Sequence, residues 1–164
     1  MSIILKNKHT LQVNDFYFTC CIGQNGTTNK KQEGDKKTPK GNYSLEHLYY
    51  RKDKIKILQT KIKTIKIKKE MGWCDDPKDT KNYNKLIKIR NTSKCEKLYR
   101  KDRKYDLVIP IKYNFRNRVM GKGSCIFIHL TNNYKPTAGC IALKKKDFLI
   151  MLKLINKRTR IVIN

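Results

Sequence analysis

Cysteine and histidine side chains are the groups in this chain best suited to covalent chemistry, and one pair lies close together: His129, in Ile126-Phe127-Ile128-His129-Leu130, and Cys140, eleven positions later in Thr137-Ala138-Gly139-Cys140-Ile141-Ala142. A thiol with the ordinary pKa of about 8.5 is mostly protonated at neutral pH, so it acts as a nucleophile only beside a base or backbone donors. His129 can be that base. Gly139 lets the backbone turn tightly toward a substrate carbonyl, with the N–H groups of Gly139 and Cys140 able to hold an oxyanion. Free cysteine is also among the most buried residue types, and a histidine on an apolar strand is commonly a satisfied core residue. Spacing alone leaves both readings open. Of the three histidines, His9, His47 and His129, only the last has a place beside Cys140.

Other segments point the same way. Glu33-Gly34-Asp35-Lys36-Lys37-Thr38-Pro39-Lys40-Gly41-Asn42-Tyr43 reads as a turn, because Pro39 fixes its own φ and pushes Thr38 toward extended geometry, while Gly34 and Gly41 tolerate positive φ. Further on come Met71-Gly72-Trp73-Cys74-Asp75-Asp76-Pro77, Tyr83-Asn84-Lys85-Leu86 and Tyr105-Asp106-Leu107-Val108-Ile109. With the His129-to-Cys140 segment, a strand His before a Ser/Thr-x-Gly-Cys turn, these stretches resemble the L,D-transpeptidases with a YkuD-type catalytic domain. They run in the family's order from about residue 22 to residue 155.

The resemblance implies one catalytic domain over residues 1–164, mainly β, a sandwich of mostly antiparallel strands with one or two short covering helices. It implies that Cys140 forms a thioester acyl-enzyme with peptidoglycan stem peptides, that His129 moves the protons, and that the Leu130 carbonyl orients the imidazole. It implies no cofactor, and a place of action in the cell envelope or periplasm. Two positions depart from the pattern: many members carry a second His where Ala138 stands here and an Arg where Ala142 stands. Loss of that Arg removes an anchor for a substrate carboxylate.

Candidate substrate contacts are Thr137, beside the nucleophile, and Trp73, Asp75 and Asp76. A stem peptide carries a free amine on its diamino acid, and in a chain of formal charge +26 a local carboxylate pair could recognise that cation. The competing reading is that Asp75-Asp76-Pro77 shapes a turn and caps a helix near Tyr83.

At 164 residues, with 38% hydrophobic and 32% charged residues, the chain is long enough to bury a core without metal or disulfide staples. No run approaches the ~20 apolar residues of a membrane helix. Met1-Ser2-Ile3-Ile4-Leu5-Lys6-Asn7-Lys8 goes straight into polar residues, without the apolar core of about 7–15 residues that a signal peptide needs. Six cysteines do not make a disulfide scaffold at this length, and their spacing with histidine gives no zinc signature, so no metal is expected. Cys20 and Cys21 point to opposite faces of a strand; Cys125 reads as structural; Cys74, among polar neighbours, is harder to place, and Cys95 is unassigned.

The charge favours nucleic acid or an acidic polymer as a rival partner. An AT-rich genome produces the same wealth of lysine, asparagine and isoleucine without selection on charge, so no specific nucleic acid is expected. Arg51 to Lys69 alternates apolar and basic residues with period two, which predicts a half-buried strand or hairpin with a basic outer face.

Other elements follow from pattern. Leu11-Gln12-Val13 and Phe16 to Gly23 predict a hairpin around Asn14-Asp15; Leu107 to Ile111 and Cys125 to Leu130 predict buried strands; Lys146 to Asn156 predicts a helix closed by a strand at Thr159 to Ile163. A shorter helix at Tyr83 to Ile89 is a further expectation. An L,D-carboxypeptidase or endopeptidase on the same bonds is the nearest enzymatic alternative, and a non-catalytic basic binding module is the alternative of another class. Oligomeric state is not legible.

Overall fold

The computed structural model describes residues 1–56, 58–90 and 94–164. The chain opens with β1 (Ser2–Asn7), β2 (Thr10–Val13) and β3 (Phe16–Cys21). Val13 pairs with Phe16 across the expected two-residue turn, and Asn14 takes φ +50°, the left-handed geometry that tight hairpins require and asparagine tolerates. Next come β4 (Thr27–Thr28), β5 (Thr38–Pro39), β6 (Gly41–Ser44), β7 (Leu48–Tyr50) and β8 (Thr64–Lys66). β9 (Met71–Cys74), β10 (Leu86–Lys88) and β11 (Cys95–Lys97) form a small sheet ordered β10-β9-β11. The last third holds β12 (Leu107–Pro110), β13 (Phe127–Leu130), β14 (Ile141–Leu143), α1 (Lys145–Leu154) and β15 (Arg160–Ile163).

Ten strands make one curled, mostly antiparallel sheet ordered β6-β15-β1-β2-β3-β14-β13-β12-β7-β8, with parallel pairs at β1/β15, β13/β14 and β7/β8. This is the mainly β, sandwich-like architecture expected. Its interior is aliphatic, with Ile3, Leu11, Ile109, Ile128, Ile141 and Ile161 fully enclosed. α1 covers it through Phe148, Met151 and Leu152, a helical stripe of the kind whose complete burial is worth roughly 1.5–3 kcal/mol per large side chain. The helix stops at Leu154 because Ile155 turns to extended backbone, φ −93° and ψ 161°, where Asn156 N–H can bond the Thr159 hydroxyl at 2.9 Å.

Three expectations are corrected. Tyr83 to Ile89 is not a helix: Asn84 takes φ +54°, which no helix allows, and Leu86–Lys88 spends its backbone bonds on β9. The apolar residues there are too few to outweigh a ready sheet edge. The alternating segment from Arg51 gives only the three residues of β8; Ile55, Ile62 and Ile67 are buried one at a time from a turn-rich loop, and Ile57 lies outside the described residues. Finally, β13 starts at Phe127 rather than Cys125, because Cys125 is left-handed at φ +52° and turns the chain into the strand.

Candidate active site

The three central strands are buried on both faces, and side-chain alternation divides them. Leu107, Ile109, Ile128, Leu130, Ile141 and Leu143 enter the aliphatic core. Val108 and Phe127 enter a second cluster with Tyr49, Trp73, Tyr105 and Cys140. Pairing then sets Val108, His129, Ala142 and Cys21 in one row across β12, β13, β14 and β3, so these four side chains share a face. The strand period alone therefore brings His129 to the face that Cys140, one residue before β14, must share.

The turn that carries Cys140 is clamped. Gly139 adopts φ +140°, and a Cβ there would stand 2.9 Å from the Lys37 carbonyl oxygen, so only glycine fits. The Thr137 hydroxyl accepts the Gly139 N–H at 3.1 Å and donates to the Cys140 carbonyl at 2.6 Å. The buried Thr38 hydroxyl donates to the Gly139 carbonyl at 2.9 Å and accepts the Gly23 N–H at 2.9 Å. Thr38 of the Thr-Pro pair thus holds the turn that carries Cys140. Since Thr137 occupies the Gly139 N–H, the Cys140 N–H is the oxyanion donor of the expected pair that has no partner among the described residues.

At 9% exposure, Cys140 keeps its thiol between two backbone groups: Phe127 N–H donates to Sγ at 3.3 Å, and the S–H donates to the Cys125 carbonyl at 3.2 Å. Burial pushes this thiol up to about 12. Burial also pulls His129 down to about 4. Its Nδ1 lies 2.9 Å from the Leu130 carbonyl, which can only accept, so Nδ1 carries the proton and Nε2 is the free base. The pair is therefore neutral at rest, thiol and imidazole, not thiolate and imidazolium. Tyr105 packs edge-on against the imidazole with ring centres 5.3 Å apart.

Both side chains line a cleft of about 540 Å³, together with Thr137, Ala138 and Ala142. Its charged wall comprises Glu96, Arg100, Lys104 and Lys135. Arg100 is committed to Glu96 at 2.5 Å and Asp102 at 2.6 Å, whereas Lys104 and Lys135 make no ion pair among the described residues. These four residues escaped the sequence reading, because nothing in their spacing ties them to Cys140.

Trp73, Asp75 and Asp76 are not brought to this cleft. Trp73 is 2% exposed beneath it, packed edge-on against Phe127 and Tyr49, with its Nε1–H donating to Asn84 at 2.9 Å. Asp75 is not among the residues lining the cleft, and burial, followed by the neighbouring Glu33 charge, raises its carboxyl. Asp76 lines a separate cavity of about 480 Å³ with Cys74, Asp79 and Asn82, and its Oδ1 accepts the Lys78 N–H at 3.0 Å as a turn residue does. The carboxylate in the cleft is Glu96.

All six cysteines are free; Cys20 belongs to the aliphatic core, Cys21 donates to the Lys135 carbonyl at 3.2 Å, Cys74 is buried, and Cys95 is half-buried. Among the described residues no group of three or more His, Cys, Asp or Glu is arranged to hold a metal ion, and no helix is long and apolar enough to cross a membrane.

No curated protein matches the sequence. Among solved structures, the chain is similar to Bd1075 of Bdellovibrio bacteriovorus, with 17% identity and a TM-score of 0.49 over 99% of this chain and 47% of that one. The chain thus spans about half the length of the solved structure it matches. Residues 3–163 match the family of L,D-transpeptidase catalytic domains known as YkuD, which is nearly the whole chain and includes each motif described above. The chain belongs to the YkuD family of L,D-transpeptidase catalytic domains.

Proposed function

We propose that this chain is a cysteine acyltransferase that forms or remodels peptidoglycan cross-links in the cell envelope. The observation that carries the reading is the joint placement of Cys140 and a neutral His129 in one cleft on a YkuD scaffold. The substrate carbonyl displaces the Cys125 carbonyl as the thiol's neighbour. His129 Nε2 then takes the S–H proton as sulfur attacks the carbonyl carbon, and the oxyanion is held by the Cys140 N–H. Collapse breaks the C–N bond, with the imidazolium proton going to the leaving amine of a terminal D-alanine, and leaves a thioester. A second stem's amine attacks that thioester, gives its proton to His129, and expels the Cys140 sulfur, which recovers a proton. General acid–base help of this kind is worth about 10²- to 10⁴-fold.

The neutral resting pair suits this order of events, since a thiol held near 12 stays unreactive until substrate brings the proton acceptor into play. Lys104 and Lys135, which line the cleft and make no ion pair among the described residues, are suited to a leaving group that ends in a carboxylate, the task that Ala142 cannot perform. Water competes with the acceptor amine for the thioester, which makes the carboxypeptidase reaction the side branch of the same chemistry. The test is to incubate the protein with a stem tetrapeptide, with and without an added acceptor amine, and to measure D-alanine release and product mass. Cross-linked or exchanged product is expected; hydrolysis alone in the presence of acceptor assigns a carboxypeptidase, and no release at all leaves a binding module, whose nucleic-acid affinity would fall steeply with salt.

A further inference from the structure

We propose that Asn84 is a positioning residue for the nucleophile, acting on Cys140 through the peptide of Cys125; this rests on the reading of Cys140 as the nucleophile. Asn84 is 3% exposed and uses every hydrogen-bonding position of its amide. Oδ1 accepts Trp73 Nε1–H at 2.9 Å and the Cys125 N–H at 3.2 Å. Nδ2 donates to the carbonyls of Tyr113 at 3.0 Å and Asn114 at 2.8 Å. The orientation is unique, because the first two partners can only donate and the last two can only accept. One side chain therefore ties β9, the turn at residues 113–114 and the turn at residue 125 to a common point.

The tie matters at Cys125. This residue holds φ +52°, a strained geometry for a non-glycine residue that persists only where the surroundings impose it. Its N–H is held by Asn84, and its carbonyl, at the other end of the same residue, receives the Cys140 S–H at 3.2 Å. Two residues on, the Phe127 N–H points at the same sulfur at 3.3 Å. The position of Sγ is thus set by the 125–127 turn, and Asn84 fixes the start of that turn. Asn114 supports it from outside, donating to the carbonyls of Val119 at 3.0 Å and Gly123 at 2.9 Å. None of this uses substrate, so Asn84 acts before chemistry begins.

Iodoacetamide alkylation separates this role from a plain packing role, and it also stands apart from the acyl-transfer reading because it needs no peptidoglycan. Alkylation of every cysteine is followed by mass spectrometry of digests at fixed pH in the parent, Asn84→Ala and Asn84→Asp, with core Cys20 as internal reference. In Asn84→Ala the 125–127 turn loosens and Sγ is released from its place between the Cys125 carbonyl and the Phe127 N–H, so Cys140 alkylates about tenfold faster, roughly the worth of one hydrogen bond, while Cys20 keeps its parental rate. In Asn84→Asp the buried carboxyl faces the Tyr113 and Asn114 carbonyls, so it stays protonated and still accepts the Cys125 N–H; Cys140 therefore keeps a near-parental rate, a rescue that a general loss of stability would not give. Stem-peptide acylation by the alanine variant falls on the order of 10²-fold, because a displaced sulfur no longer meets the carbonyl. Cys140 rates in the alanine variant that stay parental, or that rise only in step with Cys20, overturn the proposal, and Asn84→Ser, too short to span the four partners, decides in the same way if the alanine variant does not fold. Shifted alkylation in a protein whose parent form never acylates would keep the positioning role and sink the acyltransferase reading instead.

Discussion

β12, β13 and β14 separate two apolar regions of different chemistry. On one face Ile109, Ile128 and Ile141 lie in an aliphatic core fully withdrawn from solvent, where side chains need only volume and van der Waals contact. On the other, Tyr49, Trp73, Tyr105 and Phe127 pack in one cluster with Cys140, their rings set edge to face at 5.6 to 6.2 Å, and Tyr49, Trp73, Tyr105 and Cys140 each bring a polar atom. Aliphatic packing tolerates exchange of similar shapes; an aromatic and hydrogen-bonded cluster fixes angles as well as volumes. The first region sets the fold. The second sets where a sulfur atom stands.

Substitutions on each face should part these two tasks. On the site face, His129→Ala lowers the acylation rate by about 10²- to 10⁴-fold with little change in substrate binding, read as kcat against KM, and combines non-additively with changes at Cys140. On the opposite face of the same strand, Ile128→Ala costs about 2–5 kcal/mol of stability, measured by denaturant unfolding, and leaves the acylation rate of the folded protein unchanged. A large loss of rate in that variant would erase the distinction between the faces. Trp73→Phe keeps most of the ring packing but leaves the Asn84 acceptor short of one donor, a cost of about 1–3 kcal/mol, and should slow acylation as well, because Asn84 also holds Cys125.

The pH dependence sharpens the same contrast. Burial holds His129 at about 4 against an ordinary 6.5, so the base is available throughout the neutral range, and the acylation rate falls about tenfold per pH unit only below about pH 4. For stability, the unfolded chain binds the proton first; the folded state is therefore weakened as pH falls from about 6.5 to about 4, and regains this as pH rises. His129→Phe should remove that slope in thermal unfolding while Ile128→Val keeps it.

How much of this was legible in the sequence follows the same division. Short apolar runs mark β12 and β13, one Asn-Asp turn marks the β2/β3 hairpin, and a helical stripe marks α1, whereas the period-two segment from Arg51 gave only the three residues of β8. Chemistry and spacing singled out Cys140 and His129 but left a core reading open; the motifs of the resemblance favoured the pair, and the strand register accounts for their sharing a cleft. The expected helix at Tyr83 to Ile89 failed because a partner strand distant in sequence supplied the bonds. Asp75 and Asp76 drew attention as acids in a basic chain, yet three-dimensional placement gave the cleft Glu96 instead. Thr38 lay within a recognisable motif, but only its contact across to residue 139 explains it.

The central claim, a covalent cysteine acyl-enzyme at Cys140, is tested most directly by intact-mass measurement after incubation with a stem tetrapeptide and, separately, with a carbapenem, the β-lactam class that the family resemblance implies as an acylating agent. The predicted result is one added acyl mass per chain with each reagent, mapped to Cys140 and missing in Cys140→Ala. An unmodified parent chain, or an adduct that persists in Cys140→Ala, contradicts it.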